Sequence, residues 1–238
     1  MPLVFLHGWG QSQQIWFEQK KQYPDAYFLN LSGHGGRLDA DDCLEDVMQQ
    51  CPQQAFTLLG WSLGGMLAMR LAVQYPSRIK ALILLSSTPS FSQRDDWLYG
   101  CDAQTLMNFE QGLLQHEKKT MKRFFSLMFQ GETLSRETYR SLESQSIDSQ
   151  HSPSSHALKQ GLNMLATWDL RSILPKITQA TCVIHGQKDA IIPAQAGQYL
   201  AQHIPHADYV LMDEAAHAPF LTQPQLLADV MTRFMEKI

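Results

Sequence analysis

Three residues of this sequence have the types and the chain order that nucleophilic catalysis needs. Ser62 is the central residue of GWSLG, residues 60–64, which fits the pattern G-x-S-x-G. A serine hydroxyl is a weak nucleophile at neutral pH, so it needs a histidine to take its proton and a carboxylate to hold that histidine's tautomer. Asp189 in HGQKDAIIP and His217 in DEAAHAPF follow in the order serine, aspartate, histidine. Together they predict acyl transfer on Ser62, with His217 as base and Asp189 as its orienting partner.

The position of the serine motif carries more weight than the motif itself. By composition alone, about one chain in ten of this length would contain the pattern by chance. Here it joins an apolar run, residues 55–60, to a segment of helical spacing that begins at Leu63. A sharp strand-to-helix turn at this point exposes the serine hydroxyl above a sheet.

A second carboxylate and eight other histidines are alternatives for the two partners of the serine. Asp213 lies near His217 in sequence and is the rival orienting carboxylate, whereas Asp189, which comes just after the apolar run 180–186, is preferred. His7 is expected to shape the loop after it, and His185 to be packed beside Gly186. The remaining histidines lie in a glycine turn or in polar contexts.

A tetrahedral intermediate also needs donors for its oxyanion, which are commonly two backbone N–H groups contributing about 3 kcal/mol each. Leu63, directly after the serine, is expected to supply one of them. Trp9 in HGWG, residues 7–10, is expected to supply the second. The alternative for HGWG is an ordinary turn with a packed tryptophan.

Short apolar runs alternate with segments of helical spacing along the chain, which predicts a doubly wound α/β fold with a mainly parallel sheet. Six runs are predicted as strands: residues 2–6, 26–31, 55–60, 81–87, 180–186 and 208–213. Five segments are predicted as helices: residues 11–22, 41–50, 63–74, 194–203 and 223–236. Ser62, Asp189 and His217 then all follow strand ends, so they share one rim of the sheet.

One interval interrupts this alternation, because about 90 residues without a strand are far more than a loop needs. We expect a single domain, residues 1–238, with a helical lid inserted at about residues 89–169. Its apolar positions at 106–114 and 121–129, and the segments 134–142 and 155–165, have helical spacing. The alternative is a helical subdomain that covers no site. The Ser- and Gln-rich stretch 144–155 is expected to be a lid loop.

The composition excludes several classes of function. The formal net charge of −4 gives no basic footprint for nucleic acid, and no apolar run is long enough to span a bilayer. The N-terminus lacks the basic region of a secretory signal, so we expect a cytoplasmic protein with four free cysteines. We also expect it to be a monomer. No metal-binding pattern and no nucleotide-binding glycine loop is present, so we expect no metal and no cofactor.

Several motifs together resemble one family, the α/β-hydrolase carboxylesterases that remove the methyl group from pimeloyl-(acyl-carrier protein) methyl ester in biotin synthesis. The narrower ones are GWSLGG, the pattern F-S-x-R-D-x-W within SSTPSFSQRDDW, and AAHAPF. The resemblance implies Ser62 as nucleophile, His217 as base, Asp189 as its partner, and Trp9 and Leu63 at the substrate carbonyl. It also implies that the acyl channel is lined by Phe124, Phe125, Ser126, Leu127 and Met128.

Basic residues of the predicted lid suggest where an acidic carrier protein would bind. Lys119 and Arg123, like Arg136 and Arg140, are four residues apart and share a helix face. A basic rim on an otherwise acidic enzyme would steer an acidic partner to the channel. The alternative is an ordinary solvated face.

Two departures from the family pattern concern the substrate more than the mechanism. The chain reaches FLHGWG almost at once, so we expect a smaller sheet, and NLSGHGG, residues 30–36, replaces the usual D-x-P-G-x-G turn. Other functions therefore remain open at this point: a broad short-chain esterase or thioesterase, the lyase of menaquinone synthesis, or a non-catalytic ligand receptor of the same fold.

Overall fold

Six parallel strands form one sheet in the part of the chain that the computed structural model describes, residues 1–147 and 150–238. The strands are β1 (Leu3–Leu6), β2 (Tyr27–Leu29), β3 (Phe56–Trp61), β4 (Ile79–Leu85), β5 (Ala180–Gly186) and β6 (Ala207–Met212). Their order in the sheet is β2-β1-β3-β4-β5-β6. All six predicted strands are confirmed, with ends within two residues of the predicted ones.

Helices connect the strands and pack on both faces of the sheet. They are α1 (Phe17–Gln22), α2 (Cys43–Gln50), α3 (Leu63–Gln74), α4 (Ala103–Leu127), α5 (Arg136–Ser146), α6 (Ser155–Thr167), α7 (Ala194–His203), α8 (Pro219–Thr222) and α9 (Pro224–Met235). The five predicted helices appear among them, the first beginning as a 3₁₀ turn at Gln13–Trp16. None of the helices described could cross a membrane, by length or by apolar content.

The central strands are mostly apolar because both faces of the sheet are covered. In β1, Val4 and Leu6 belong to one core cluster, whereas Leu3 and Phe5 belong to the other. Every residue of β3 is buried. Burying one such side chain contributes about 1.5–3 kcal/mol, so the central strands hold a large share of the stabilising apolar contacts.

The strand order reverses next to β1, which defines where a site can form. From β1 the chain crosses to β2 on one side, and then returns to β3 and proceeds outward to β6 on the other. In open α/β sheets a crevice forms at the carboxyl ends of the strands at this reversal. The loops after β1 and β3 lie on either side of it.

Among its described residues, the segment between β4 and β5 holds the α-helices α4, α5 and α6. Two predicted helical segments at 106–114 and 121–129 are joined in α4, which is interrupted by non-helical backbone at His116 (φ −149°, ψ 56°). The predicted loop 144–155 overlaps the end of α5 and the start of α6, and residues 148 and 149 within it lie outside the described residues.

Ion pairs and hydrogen bonds of charged residues connect the two ends of the segment between β4 and β5. Arg171 Nη2 lies 2.6 Å from Asp169 Oδ2, and Arg171 Nη1 lies 2.9 Å from Asp96 Oδ2. Arg94 donates to the carbonyl of Thr167. The motif F-S-x-R-D-x-W thus joins the start of the segment to its end.

Candidate active site

Ser62 is buried in the sharp turn between β3 and α3, where its backbone has the strained conformation expected of a nucleophile in this motif. Its backbone has φ 56° and ψ −120°, outside the regions that a serine ordinarily adopts. A Cβ at Gly60 would lie 2.3 Å from the carbonyl oxygen of Gly64, and one at Gly64 would lie 2.6 Å from that of His7. Both glycines of G-x-S-x-G are therefore required by close backbone approach.

His217 and Asp189 are in direct contact, although 28 residues separate them. His217 Nδ1 lies 2.7 Å from Asp189 Oδ2, and both side chains are fully buried. Because the carboxylate accepts, Nδ1 carries the hydrogen and Nε2 carries the lone pair. That Nε2 has no hydrogen-bond partner among the described residues. At the rival residue, Asp213, the backbone carbonyl accepts a hydrogen bond from the side chain of Gln223.

The Asp189 carboxylate is held by donors on both oxygens. Oδ1 accepts from the backbone N–H groups of Ile191 and Ile192, each at 2.9 Å. Burial by itself would raise the pKa of Asp189, but His217 and the hydrogen bonds from His185 and His217 hold that pKa well below its usual value. The carboxylate is therefore ionised wherever the protein is folded near neutral pH.

The backbone of the histidine loop is fixed from two directions. The indole Nε1 of Trp61 donates to the carbonyl of His217 at 2.9 Å, so the residue before Ser62 holds the loop that carries His217. From the other side, the N–H of His217 donates to the carbonyl of Met128 at 3.0 Å, and the carboxylate of Glu132 accepts from the N–H of Ala216. The inserted segment thus contacts the two residues 216 and 217 directly.

The loop after β1 passes against Ser62. A Cβ at Gly8 would lie 3.2 Å from that of Ser62 and 3.0 Å from the ring of Trp61. Trp9 is buried, and its indole donates to the carbonyl of Leu158 in α6 at 2.9 Å. Leu63 is the first residue of α3, so its N–H has no partner within the helix. The two expected oxyanion donors therefore lie on the two segments that meet at Ser62.

His7 holds this loop in shape through both ring nitrogens. Nε2 accepts from the N–H of Leu31 at 3.0 Å, and Nδ1 lies 2.9 Å from the carbonyl of Gly8. Burial, together with the neighbouring His34, lowers the pKa of His7 to about 3. The imidazole is therefore neutral at physiological pH, as its accepting Nε2 requires.

An apolar cavity lies between the sheet rim and the inserted helices. Trp9, Phe124, Leu127 and Ile191 are among the residues that line it. Of the other residues expected along the acyl channel, Phe125 and Met128 are buried in the second core cluster. Ser126 is exposed, and its hydroxyl lies 2.8 Å from that of Tyr139. A substrate contact by these five residues stays a prediction.

The four basic residues expected to bind a carrier are all exposed, Lys119 and Arg123 on α4, and Arg136 and Arg140 on α5. In the described part of the chain, none of the four forms an ion pair. Lys122 approaches Glu143 at 3.9 Å, which brings α4 and α5 together. The two basic pairs therefore lie on adjacent helices.

The sequence patterns did not predict the contacts that three residues make in the site. Trp61 was recognised only as part of a motif, and His185 only as a packed residue. Glu132 carried no signal, since its contact with Ala216 spans 84 residues. The spacing H-G-x-x-D before Asp189 is a signal that could have placed His185 near the carboxylate.

Comparison with known proteins agrees with this arrangement of sheet and site. The family described as alpha/beta hydrolase fold matches residues 1–224. The chain belongs to the α/β-hydrolase family. The fold class predicted from the sequence is thereby confirmed, and so is the family resemblance carried by the motifs.

Two relatives carry the same description, pimeloyl-(acyl-carrier protein) methyl ester esterase. The protein from Nitrosomonas europaea is 36% identical over 94% of this chain and 91% of its own length. That from Klebsiella pneumoniae subsp. pneumoniae is 35% identical over 93% of this chain and 88% of its own. Among solved structures, an esterase from Exiguobacterium antarcticum is 25% identical with a TM-score of 0.88, covering 99% of this chain and 92% of that one.

Proposed function

We propose that the protein is a serine carboxylesterase that hydrolyses pimeloyl-(acyl-carrier protein) methyl ester to pimeloyl-(acyl-carrier protein) and methanol in biotin synthesis. The observation that carries the proposal is the 2.7 Å contact of His217 Nδ1 with Asp189, together with the strained turn at Ser62. The relatives with this described activity support the choice of substrate.

The reaction proceeds in two steps on Ser62. His217 Nε2 takes the hydroxyl proton as the Ser62 oxygen attacks the ester carbonyl. The tetrahedral oxyanion accepts hydrogen bonds from the backbone N–H groups of Trp9 and Leu63. The proton then passes from His217 to the leaving methoxide, and methanol departs from the acyl-enzyme. Water, deprotonated by His217, hydrolyses the acyl-enzyme and releases the free carboxylate.

Asp189 acts on this reaction only through His217. Its ionised carboxylate keeps the hydrogen on Nδ1, which leaves Nε2 free to accept, and it stabilises the imidazolium formed in each step. Full burial of the pair strengthens this interaction because solvent does not screen it.

The segment 89–169 serves as the lid of this site. Its helices supply Phe124 and Leu127 to the apolar cavity beside Trp9, which suits an aliphatic acyl chain. Its outer surface carries Lys119, Arg123, Arg136 and Arg140, which bind the acidic carrier protein and direct the tethered ester into the cavity.

A complementation experiment tests the biological function. The gene is introduced into a biotin auxotroph that lacks the demethylating esterase, and growth is scored without biotin. Growth with the wild type but not with the Ser62→Ala variant, at equal protein levels, is the expected result. Failure of a well-expressed wild type to restore growth would contradict the assigned substrate.

A further inference from the structure

A second buried histidine contacts the carboxylate that orients His217. His185 is the residue before the last of β5, and its side chain is fully buried. Its Nε2 lies 3.3 Å from Asp189 Oδ2, the same oxygen that His217 Nδ1 approaches at 2.7 Å. Asp189 therefore lies between two imidazoles.

The neighbours of His185 determine which nitrogen carries its hydrogen. Nε2 lies 2.9 Å from the carbonyl oxygen of Ile192, which can only accept, so the hydrogen is on Nε2. Nδ1 has no hydrogen-bond partner in the described ranges, and it faces Gly197 of α7, where a Cβ would lie 2.4 Å away. A hydrogen on Nδ1 would be buried and without a hydrogen-bond acceptor.

The single N–H of His185 donates to the carbonyl of Ile192, and the nitrogen that carries it lies 3.3 Å from Asp189 Oδ2. The two oxygens belong to residues at opposite ends of one short loop. Asp189 Oδ1 in turn accepts from the N–H of Ile192. Both ends of the loop 189–192 therefore contact the His185 ring nitrogen. The Asp189 carboxylate accepts hydrogen bonds on both oxygens, from Ile192 on Oδ1 and from His217 on Oδ2.

We propose that His185 is a positioning residue for the reaction, whose Nε2–H fixes the Asp189 carboxylate with Oδ2 turned toward His217. The inference rests on the proposed function, because it takes the roles of Asp189 and His217 from there. Without this N–H, His217 would be the one donor beside Oδ2, and the carboxylate would be held otherwise by its Oδ1 hydrogen bonds to Ile191 and Ile192.

Packing at the end of β5 adds to the same arrangement. A Cβ at Gly186, the next residue, would lie 2.1 Å from the carbonyl of Ala216. The strand that carries His185 therefore touches the loop that carries His217. A displacement of the His185 ring would be transmitted to both members of the pair.

Three substitutions of His185 separate the hydrogen bond from the volume of the ring. His185→Phe keeps an aromatic ring but removes the donor. His185→Gln places an amide N–H where Nε2 lies, whereas His185→Asn carries the same amide on a side chain too short to reach. Thr181→Val is the matched control, since it removes one buried hydrogen bond, to the carbonyl of Gln179, near the start of the same strand.

The measurement is kcat and KM for a small p-nitrophenyl ester, with thermal unfolding of each variant. We expect kcat to fall roughly tenfold or more in His185→Phe and His185→Asn with KM within twofold, since the Asp189 carboxylate loses the N–H that lies beside Oδ2. His185→Gln is expected to recover most of kcat, and Thr181→Val to keep it. If His185→Phe does not fold, the Gln and Asn pair gives the same comparison.

Two outcomes would overturn the inference. One is a folded His185→Phe or His185→Asn variant with wild-type kcat, and the other is an equal loss in His185→Gln and His185→Asn. Asp189→Asn is measured alongside them. An active Asp189→Asn variant would contradict the proposed function itself, whereas an inactive one beside a fully active His185→Phe would contradict only the role of His185.

Discussion

The indole N–H of Trp61 donates to the backbone carbonyl of His217 across 156 residues of chain, at 2.9 Å. The residue next to the candidate nucleophile therefore holds the loop of the candidate base. The Trp61 ring also packs edge-on against Phe220, in the short helix after that loop. Both ring and N–H thus join the serine turn to the histidine loop.

Replacing Trp61 by Phe tests this connection. The variant keeps an aromatic ring but leaves the carbonyl of His217 unpaired and buried, at a cost of about 1–3 kcal/mol. We expect roughly tenfold lower kcat on a p-nitrophenyl ester and a lower Tm. Trp16→Phe is the matched control, because Trp16 is equally buried and its Nε1 has no partner among the described residues. Equal kcat in the two variants would show that the hydrogen bond has no catalytic role.

Glu132 provides a second connection, from the inserted segment to Ala216. Burial raises the pKa of Glu132, against the lowering effect of its hydrogen bonds to Ala216 and Thr222. In Glu132→Ala the N–H of Ala216 loses its acceptor, so we expect kcat on a small ester to fall several-fold, by roughly the value of one hydrogen bond.

Glu132→Gln and the exposed Glu137→Ala serve as controls for this prediction. The Gln variant keeps a carbonyl oxygen that can accept from Ala216, so it should retain more activity than the Ala variant. Glu137→Ala should match the wild type. Equal kcat values for Glu132→Ala and Glu132→Gln would contradict a role for the hydrogen-bond acceptor at residue 132.

Charge reversal tests the carrier-binding surface. Changing Lys119, Arg123, Arg136 and Arg140 to Glu should raise KM for the carrier-bound ester roughly tenfold or more, because the attraction to an acidic partner is lost. The KM for a small ester should not change. Added salt should raise the wild-type KM for the carrier-bound ester and affect the variant less.

Lys80→Glu is the control for charge reversal. Lys80 is exposed near the start of β4, at the edge of the sheet opposite the site. The Lys80→Glu substitution changes the net charge of the protein without altering the proposed carrier-binding surface. An unchanged KM for the carrier-bound ester in the four-residue variant would contradict the proposed docking.

The neutral state of His7 predicts how stability depends on pH. Burial, aided by His34, lowers the pKa of His7 from 6.5 to about 3. Between these values the unfolded chain binds a proton that the folded protein does not. The contribution of His7 to stability is therefore complete above pH 6.5 and is lost as the pH falls, at about 1.4 kcal/mol per pH unit.

Urea unfolding of the wild type and His7→Gln at pH 7 and pH 5 measures this effect. We expect the wild type to lose more unfolding free energy over this interval than His7→Gln does, because the variant has no proton to take up. His206→Gln, at an exposed position, should follow the wild type. A parallel decline in all three proteins would contradict a neutral, buried His7.

The sequence was sufficient to predict the strands and the edge of the sheet at which Ser62, Asp189 and His217 lie. Buried parallel strands are continuous apolar runs, and a residue that follows such a run is placed at the carboxyl edge by the strand direction alone. The Trp61 and Glu132 contacts depend on how loops meet in space, which no local pattern encodes. The interruption of α4 at His116 was likewise not predicted, because the nearest helix-weakening residue, Gly112, lies one turn before it.

The side chains of residues 124–128 illustrate the same limit within one helix. A run of apolar residues at the end of α4 predicts burial, but not which members face the cavity. Phe124 and Leu127 line the cavity, whereas Phe125 and Met128 pack in the core. The direction of each side chain follows from the orientation of α4 over the sheet.

Methanol release from purified pimeloyl-(acyl-carrier protein) methyl ester tests the central claim most directly. We expect multiple turnovers with the wild type, and no release above background with a folded Ser62→Ala variant. Turnover by Ser62→Ala at a rate near that of the wild type would contradict Ser62 as the nucleophile. A wild type that reacts with a serine-directed phosphonate but releases no methanol would contradict the substrate.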